Sequence, residues 1–403
     1  MIQFEETLGN YYSVNGWRKV VLSIQHFVAM FGATILVPLL TGLDPLVALF
    51  TAGFGTLIFH QVTKKIVPVF LGSSFAFISP ILLVKEQTGN LQYATGGIVA
   101  AGVVYLLFSL LVKIIGIQRI KKLFPPVVTG PMIIVIGLSL SPVAINMASK
   151  NWGIAIIVII SIILASTVFK GFFTLIPILI GVTVGYIASI LTGTVNFEPI
   201  YHSSLISLPN FLFPKFNLSS IIIIAPVAIA TFMEHIGDIT TNGAVVNKNF
   251  IENPGLHRTL VGDGLATIIA GFLGGPANTT YSENTGVLAL TRIYDPSILR
   301  LAAIFAILMS FFSKFGSVLQ TIPKPVIGGV SLILFGMIAS VGIRTIVNEK
   351  VNFSKAKNLI VASLILTIGI GGANIKIGTV EFKGLALAAI VGVISNLLIP
   401  DKN

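Results

Sequence analysis

Three carboxylic acids stand inside apolar stretches of this 403-residue sequence. Glu234 and Asp238 are four residues apart, which places them on one face of a helix. Glu283 follows a stretch rich in Gly, Thr and Ser. A carboxylate at membrane depth is expensive unless it is paired or hydrated. These groups are therefore candidates for carrying a proton or for accepting hydrogen bonds from a substrate. The alternative is a protonated, hydrogen-bonded structural carboxyl.

Other polar or aromatic residues in the same stretches have open interpretations. His26 either supports a site or belongs to it. His235 adjoins the first acid in sequence and points about 100° away from it, so we expect a packing or structural contact. Asp263 lies in an apolar segment near residues 260–274, which is the ninth predicted membrane span, and is expected at its cytoplasmic mouth. Phe75 and Tyr281 could stack on a flat ring or could be core residues.

The composition decides which kind of protein holds these acids. Hydrophobic residues make up 55% of the chain, charged residues 10%, and the mean hydropathy is +0.97. A soluble domain carries roughly 25% charged residues, so we expect an all-α polytopic membrane protein in a lipid bilayer. The net charge of +11 is explained by Lys and Arg in cytoplasmic loops, with no nucleic-acid partner.

The sequence contains no Cys, which excludes disulfides and thiol chemistry. It shows no metal-ligand spacing and no phosphate-binding Gly-Lys-Ser/Thr loop. We therefore expect no metal, no catalytic residues and no cofactor. Transport by such a chain would be coupled to an ion or passive.

Apolar runs predict fourteen transmembrane segments, several of them broken by Gly or Pro. The first seven lie near 20–40, 45–61, 67–84, 95–116, 123–145, 153–168 and 171–193. The second seven lie near 218–238, 260–274, 276–290, 297–315, 325–346, 357–372 and 383–399.

The distribution of basic residues predicts the orientation. With the N-terminus inside, most of the 25 Lys and Arg residues fall on the cytoplasmic side, as the positive-inside rule requires. The external side receives Lys85, Lys150, Lys215, Lys314, Lys324, Lys376 and Lys383. Both termini are expected in the cytoplasm, and the membrane is expected to be the cytoplasmic (plasma) membrane.

The two sets of seven segments are similar to each other. Residues 124–130 (FPPVVTG) and 323–329 (PKPVIGG) align at an offset of 199 residues, and each opens the fifth segment of its half. Because seven is odd, the second half must run inverted relative to the first, as in many secondary transporters. The alternative is chance similarity between two Pro/Gly-rich helix starts.

The third segment of each half is unsuited to a plain helix. Residues 71–80 (LGSSFAFISP) and 274–284 (GGPANTTYSEN) are rich in Gly, Ser, Thr and Pro. Extended backbone at membrane depth is tolerated only inside protein or beside a wet cavity. We therefore expect extended, β-prone backbone where these two broken segments meet near the midplane, next to helix starts whose N–H groups and dipoles face the same place.

Four motifs in order resemble one known family. Residues 283–292 (ENTGVLALTR) match the signature of the nucleobase–ascorbate transporters, and residues 25–34 (QHFVAMFGAT) resemble the first span of its bacterial uracil permeases. Residues 72–77 (GSSFAF) and 234–237 (EHIG) complete the set. The resemblance runs from about residue 17 to 399.

This resemblance implies a proton symporter, a homodimer and a core domain that moves against a gate domain, with two short β-strands that meet mid-membrane. The predicted organisation is a cytoplasmic segment 1–18, a first repeat 19–193, an external connection 194–217 and a second repeat 218–399. The core would comprise about 19–122 and 218–315, and the gate about 123–193 and 323–399.

The resemblance also implies roles for individual residues. The substrate-binding positions would be Glu234, Glu283, Phe75, Ser282, Tyr281 and Ala33, with Phe75 and Ser282 acting through their backbone amides. The proton-coupling positions would be Glu234, Asp238 and Glu283. The supporting positions would be His26, Asn284 and Thr291.

Three positions leave the transported base open. Uracil permeases usually carry His at the position of Asp238 and Gly at that of Ser282, whereas Asp238 resembles the purine branch. Purine members usually carry Gln at the position of Glu283. We predict a proton-coupled nucleobase importer for uracil, with xanthine or another purine as the alternative in the same family. Two alternatives from other functional classes are an anion exchanger of similar architecture and a membrane-embedded enzyme.

Overall fold

The computed structural model describes residues 16–119, 124–377 and 380–400, without the side chains of residues 376–383. Parts of the predictions fall outside these residues. They are the N-terminal segment up to residue 15, the boundary between core and gate at 122 and 123, and the C-terminal residues 401–403, which were expected in the cytoplasm. Most of the described chain is helical, and it contains four short strands.

The first half supplies eight helices and one strand of the described chain. They are α1 (Trp17–Thr41), α2 (Pro45–Val62), β1 (Leu71–Ser73), α3 (Ile78–Thr88), α4 (Leu91–Ile115), α5 (Pro126–Leu138), α6 (Ser141–Ala148), α7 (Trp152–Thr167) and α8 (Pro177–Leu191). Short 3-10 turns at Phe75–Phe77 and Gly171–Leu175 precede α3 and α8. The connection between the halves carries one short helix, α9 (Glu198–His202).

The second half repeats this order of elements. They are α10 (Leu218–Ile224), α11 (Val227–Val246), α12 (Leu256–Leu273), β2 (Asn278–Thr280), α13 (Ser282–Thr291), α14 (Pro296–Ser310), α15 (Ser313–Gln320), α16 (Lys324–Asn348), α17 (Ala356–Ile370), β3 (Asn374–Ile377), β4 (Val380–Lys383) and α18 (Gly384–Leu398). The β3–β4 hairpin was not predicted.

The helical, many-span membrane fold is confirmed. Each predicted segment coincides with a helix, a broken helix or a strand followed by a helix. In the described chain, six helices are long and apolar enough to cross a membrane, or seven if the bent pair α14–α15 forms one span. The shorter apolar helices are α7, α8, α17 and α18. Fourteen crossings therefore stay a prediction.

Helix contacts obey the predicted repeat. Helix α2 of the first half packs on α14 of the second half, and the equivalent pair, α12 of the second half and α4 of the first, packs in the same way. The pairs α7–α8 and α17–α18 correspond likewise, while α5 contacts its own counterpart α16. At that last crossing, Gly342 approaches the Gly130 carbonyl so closely that an added Cβ would lie 2.6 Å from it. Small residues at such crossings let membrane helices approach.

The two predicted strands pair with each other across the repeat. β1 and β2 are antiparallel, with Gly72 opposite Thr279. Their outer edges are satisfied by equivalent threonines. Thr56 of α2 accepts from the Leu71 N–H at 2.9 Å, and Thr267 of α12 accepts from the Asn278 N–H at 3.2 Å. Backbone groups of a buried strand must find such partners, so this ribbon is held by two equivalent helices.

Gly72 leaves room for the side chain of Tyr281. The Tyr281 ring lies where a Cβ of residue 72 would be, and Thr34 Oγ1 lies 2.8 Å from the same point. The Tyr281 hydroxyl donates to the Ser73 carbonyl at 2.9 Å. A residue other than glycine would therefore push the tyrosine away from β1.

We expect Gly72→Ala to destabilise the protein by about 1–3 kcal/mol, the range for overpacking a filled interior. Its midpoint of thermal unfolding in detergent should fall below that of the parent. The matched control is Gly336→Ala, because an added Cβ at Gly336 of α16 meets nothing within 4 Å. Equal midpoints for the two variants would contradict the packing described above.

Candidate substrate site

Three acids lie near one another inside the helices, and their exposure indicates a shared cavity. Glu234 is exposed, and Asp238 and Glu283 are half-buried, although their helix neighbours His235 and Asn284 are buried. Side chains within a bundle can be accessible only through a cavity. The acids also lie within electrostatic range of one another. In the described chain, no Lys or Arg side chain pairs with them.

Two helix starts flank the same place. β1 leads through Ser74 into the turn before α3, and β2 leads through Tyr281 into α13. Because the strands are antiparallel, the helices begin at opposite ends of a ribbon only two residue steps long, roughly 7 Å. Neither Ser74 nor Tyr281 caps its helix with a side chain. The N–H groups of these first turns are thus available as donors to a ligand, apart from that of Glu283, which donates to its own carboxyl group.

Both carboxylate oxygens of Asp238 are already occupied by protein donors. The Thr280 hydroxyl donates to Asp238 Oδ2 at 3.0 Å. The Ser282 hydroxyl donates to Asp238 Oδ1 at 3.0 Å. In contrast, no hydrogen bond from the described residues occupies the Glu234 carboxylate. Glu234 and Asp238, which share one helix face, therefore differ in their hydrogen-bond partners.

The three supporting residues lie at different places. Asn284 donates from Nδ2 to the carbonyl of His26 at 2.9 Å and to its Nδ1 at 3.1 Å, which ties α13 to α1. His26 is 1% exposed, so it lies behind the cavity. Thr291 donates to the Val287 carbonyl at 2.8 Å at the far end of α13, away from the acids.

The other predicted binding residues are only partly accessible. Ser282 is exposed and Phe75 is half-buried, so both can reach a ligand. Tyr281 is 4% exposed and Ala33 is 2% exposed. That Tyr281 and Ala33 line the cavity, and that Ser282 and Phe75 bind the substrate, therefore remain predictions.

His235 has the structural contact that was expected, and Asp263 does not lie where it was expected. His235 Nδ1 lies 2.8 Å from Asp263 Oδ2, and His235 Nε2 lies 2.8 Å from Thr259 Oγ1. Both partners of this pair are fully buried. Asp263 sits within α12 rather than at a mouth of the span, so the prediction was wrong. The sequence feature that could have indicated a buried pair is a lone acid inside an apolar helix, residues 256–273 (LHRTLVGDGLATIIAGFL).

The cavity opens at the end of the protein where α11 ends. Exposed residues follow one face of α11 from Glu234 through Gly237 and Thr241 to Ala244. They are small or polar, whereas surfaces that face lipid expose large apolar residues, as α7 does at Ile157. A further cavity of about 440 Å³ at this end is lined by Ile239, Thr240, Gly243, Ala244 and residues 247–251.

Fold and site together define a class of protein. Two inverted halves, broken helices at corresponding positions and polar groups where they meet are the features of a secondary transporter. The chain belongs to the nucleobase–ascorbate transporter family, because the profile of this permease family matches residues 18–377. The predicted family is thus confirmed, and the protein is a transporter and not an enzyme.

Curated relatives match over nearly their whole length. The probable uracil permease of Haemophilus influenzae is 44% identical over 392 residues, which are 95% of this chain and 94% of that protein. The uracil permease of Bacillus subtilis (strain 168) is 44% identical over 403 residues, covering 95% and 92%.

Solved structures with the same fold include an anion transporter and a bicarbonate transporter. Murine solute carrier 26 family member A9, an anion transporter in the inward-facing state, matches with TM-score 0.71 at 11% identity, covering 96% of this chain and 69% of that chain. The transmembrane domain of a cyanobacterium bicarbonate transporter matches with TM-score 0.61 at 15% identity, covering 95% and 98%. In another solved structure of solute carrier 26 family member A9, the match covers 64% of that protein's chain. At such identity the likeness shows the fold alone.

Proposed function

We propose that this permease imports uracil together with protons across the cytoplasmic membrane. The observation that carries the proposal is the pairing of acceptors and donors around one cavity. Two carboxyl groups, Glu234 and Glu283, face it, and two uncapped helix starts flank it. The uracil permeases among its relatives, at 44% identity over most of their length, support the choice of base.

The chemistry of uracil suits this arrangement. Uracil carries two ring N–H donors and two carbonyl acceptors. Glu234 and Glu283 can accept from the N–H groups, while the backbone amides of Phe75 and Ser282 can donate to the carbonyl groups. A buried site that satisfies donors and acceptors in one pattern discriminates strongly against a base with another pattern.

Proton coupling would use the acids of the same cavity, without a cofactor. Glu234 is the best placed to carry a proton, since no cation and no hydrogen-bond donor from the described residues occupies its carboxylate. Protonation would remove repulsion among the three acids and favour loading from outside. Release of the base and the proton would follow on the inner side.

Transport would be a movement of a core domain against a gate domain. Two sets of helices support this division. The helices α1–α4 and α10–α14 pack mainly on one another, and α5–α8 pack mainly with α16–α18. The acids and both strands belong to the first set. With both termini in the cytoplasm, the cavity at the end of α11 faces inward. The gate helices would form the interface of a homodimer.

A second candidate substrate is xanthine or another purine. Asp238 and Ser282 favour it, because each departs from the pattern of uracil permeases. Anion exchange is disfavoured since the cavity presents three acids, although a solved structure with the same fold is an anion transporter. A membrane-embedded enzyme is excluded by membership in a permease family.

Uptake of labelled uracil into cells or proteoliposomes tests the proposal. We expect saturable uptake that unlabelled uracil inhibits more strongly than xanthine, uric acid, thymine or cytosine. We expect a protonophore to abolish accumulation. Uptake that survives the protonophore undiminished would exclude proton coupling, and stronger inhibition by xanthine would establish the purine alternative.

A further inference from the structure

Asp238 joins two structural elements at the point where the site is built. It lies on α11, one helical turn after Glu234. Its two hydrogen-bond partners come from either side of a single residue, Tyr281, because Thr280 ends β2 and Ser282 begins α13. One carboxylate thus holds the junction between strand and helix from the side of α11.

The same junction is held from its other side by β1 and by the residue that precedes it. The Tyr281 N–H donates to the Phe70 carbonyl at 3.0 Å, and the Tyr281 hydroxyl donates to the Ser73 carbonyl. The junction is therefore clamped between α11 and β1. Its orientation decides where Glu283 and the first N–H groups of α13 point.

The start of α13 has no side-chain cap, because its N-cap residue is Tyr281. Ser and Thr hydroxyls at a helix start usually accept from backbone N–H groups of the first turn. Here the hydroxyl protons of Thr280 and Ser282 are directed to Asp238, and α13 has no side-chain cap. The negative charge of Asp238 still compensates the positive end of the α13 dipole.

We propose that Asp238 is a positioning residue for base binding, which acts through Thr280 and Ser282 and does not carry the coupled proton. The proposal rests on the base transport proposed above. Asp238 and Ser282 are two separate departures from the uracil permease pattern in the sequence, and in the fold they form one hydrogen bond. They are thus an interdependent pair, in which the hydroxyl of residue 282 requires the carboxylate of residue 238.

A double-mutant cycle on purified protein tests the interdependence. Base affinity is measured by titration for the parent, Asp238→Ala, Ser282→Ala and the double variant. Loss of a hydrogen bond to a charged group corresponds to about tenfold or more, so Ser282→Ala should bind about tenfold more weakly and Asp238→Ala, which loses two such bonds, at least as weakly. The double variant should bind no more weakly than Asp238→Ala alone, since the Ser282 hydroxyl acts only through its contact with Asp238. If the losses of affinity in the two single variants multiply in the double variant, the proposal is overturned.

Matched variants at residue 280 separate positioning from general damage. Thr280→Val removes the hydroxyl at nearly constant volume and should weaken binding, whereas Thr280→Ser keeps the hydroxyl and should restore parental affinity. Equal affinities for the Val and Ser variants would contradict the proposal. The unfolding midpoint of each variant without ligand shows whether it is folded, and the Ser variant provides the comparison if the Ala variants are not.

Transport by Asp238→Asn separates a positioning role from a proton-carrying role. A positioning residue predicts a raised KM with accumulation retained at saturating base. A proton carrier predicts lost accumulation with little change in affinity, and that result would overturn the proposal. If the parent binds xanthine rather than uracil, the proposed substrate is wrong, and the affinities of the double-mutant cycle are then measured with xanthine. A wrong substrate is thereby distinguished from a wrong role for Asp238.

Discussion

Glu283→Gln is expected to weaken uracil binding by about 10- to 100-fold. The substitution keeps the shape of the side chain but replaces a charged acceptor by an amide, half of which is a donor. A hydrogen bond to a charged group contributes about 1.5–3 kcal/mol, and a donor turned toward a ring N–H of the base would add repulsion. Equilibrium binding to purified protein measures the effect directly.

The matched control for this variant is Glu252→Gln. Glu252 is exposed in the turn Ile251–Gly255 between α11 and α12, so the same chemical change there should leave uracil affinity at the parental value. Xanthine should be titrated beside uracil, because Gln at this position is typical of the purine members. Parental uracil affinity in Glu283→Gln would remove this residue from the binding site.

Glu234→Gln is expected to abolish accumulation of uracil against its gradient. An amide cannot take up a proton, so movement of the base would no longer be linked to movement of a proton. Exchange of labelled for unlabelled uracil at equal concentrations needs no net proton transfer and should persist, with lower affinity because one acceptor is altered. Counterflow and net uptake in proteoliposomes with an imposed pH gradient measure the two processes.

The comparison with Asp238→Asn makes the prediction specific. Both variants neutralise an acid of the same helix, but only the Glu234 carboxylate is without a hydrogen-bond donor in the described part of the chain. Full proton-driven accumulation by Glu234→Gln would show that the coupling proton resides elsewhere. Loss of exchange as well as accumulation would show that Glu234 is needed for base binding first.

The sequence was sufficient for the class of protein and for much of the fold. Low charge and long apolar runs require a membrane interior, since so few charges cannot solvate a surface of this size. The match between residues 124–130 and 323–329 predicted the repeat, and the corresponding helices α5 and α16 pack on each other. The Gly- and Ser-rich third segments predicted extended backbone, because such residues disfavour a continuous helix.

Side-chain partners were beyond the sequence. Asp238 and Ser282 are 44 residues apart, and His235 and Asp263 are 28 residues apart. Spacing along one helix predicts which residues share a face, but it does not say which side chain from another element meets that face. For this reason Asp263 was placed at a mouth of its span, although it pairs with a buried histidine.

The sequence by itself determined the membrane class, the inverted repeat, the two broken segments and the three acids near the proposed site. These follow from composition and from local patterns, which depend only on neighbours along the chain. The tertiary structure alone decided that Glu234 remains open to the cavity while Asp238 is engaged by Thr280 and Ser282. Identical carboxyl groups differ there because packing brings hydroxyl donors to one and leaves the other facing the cavity.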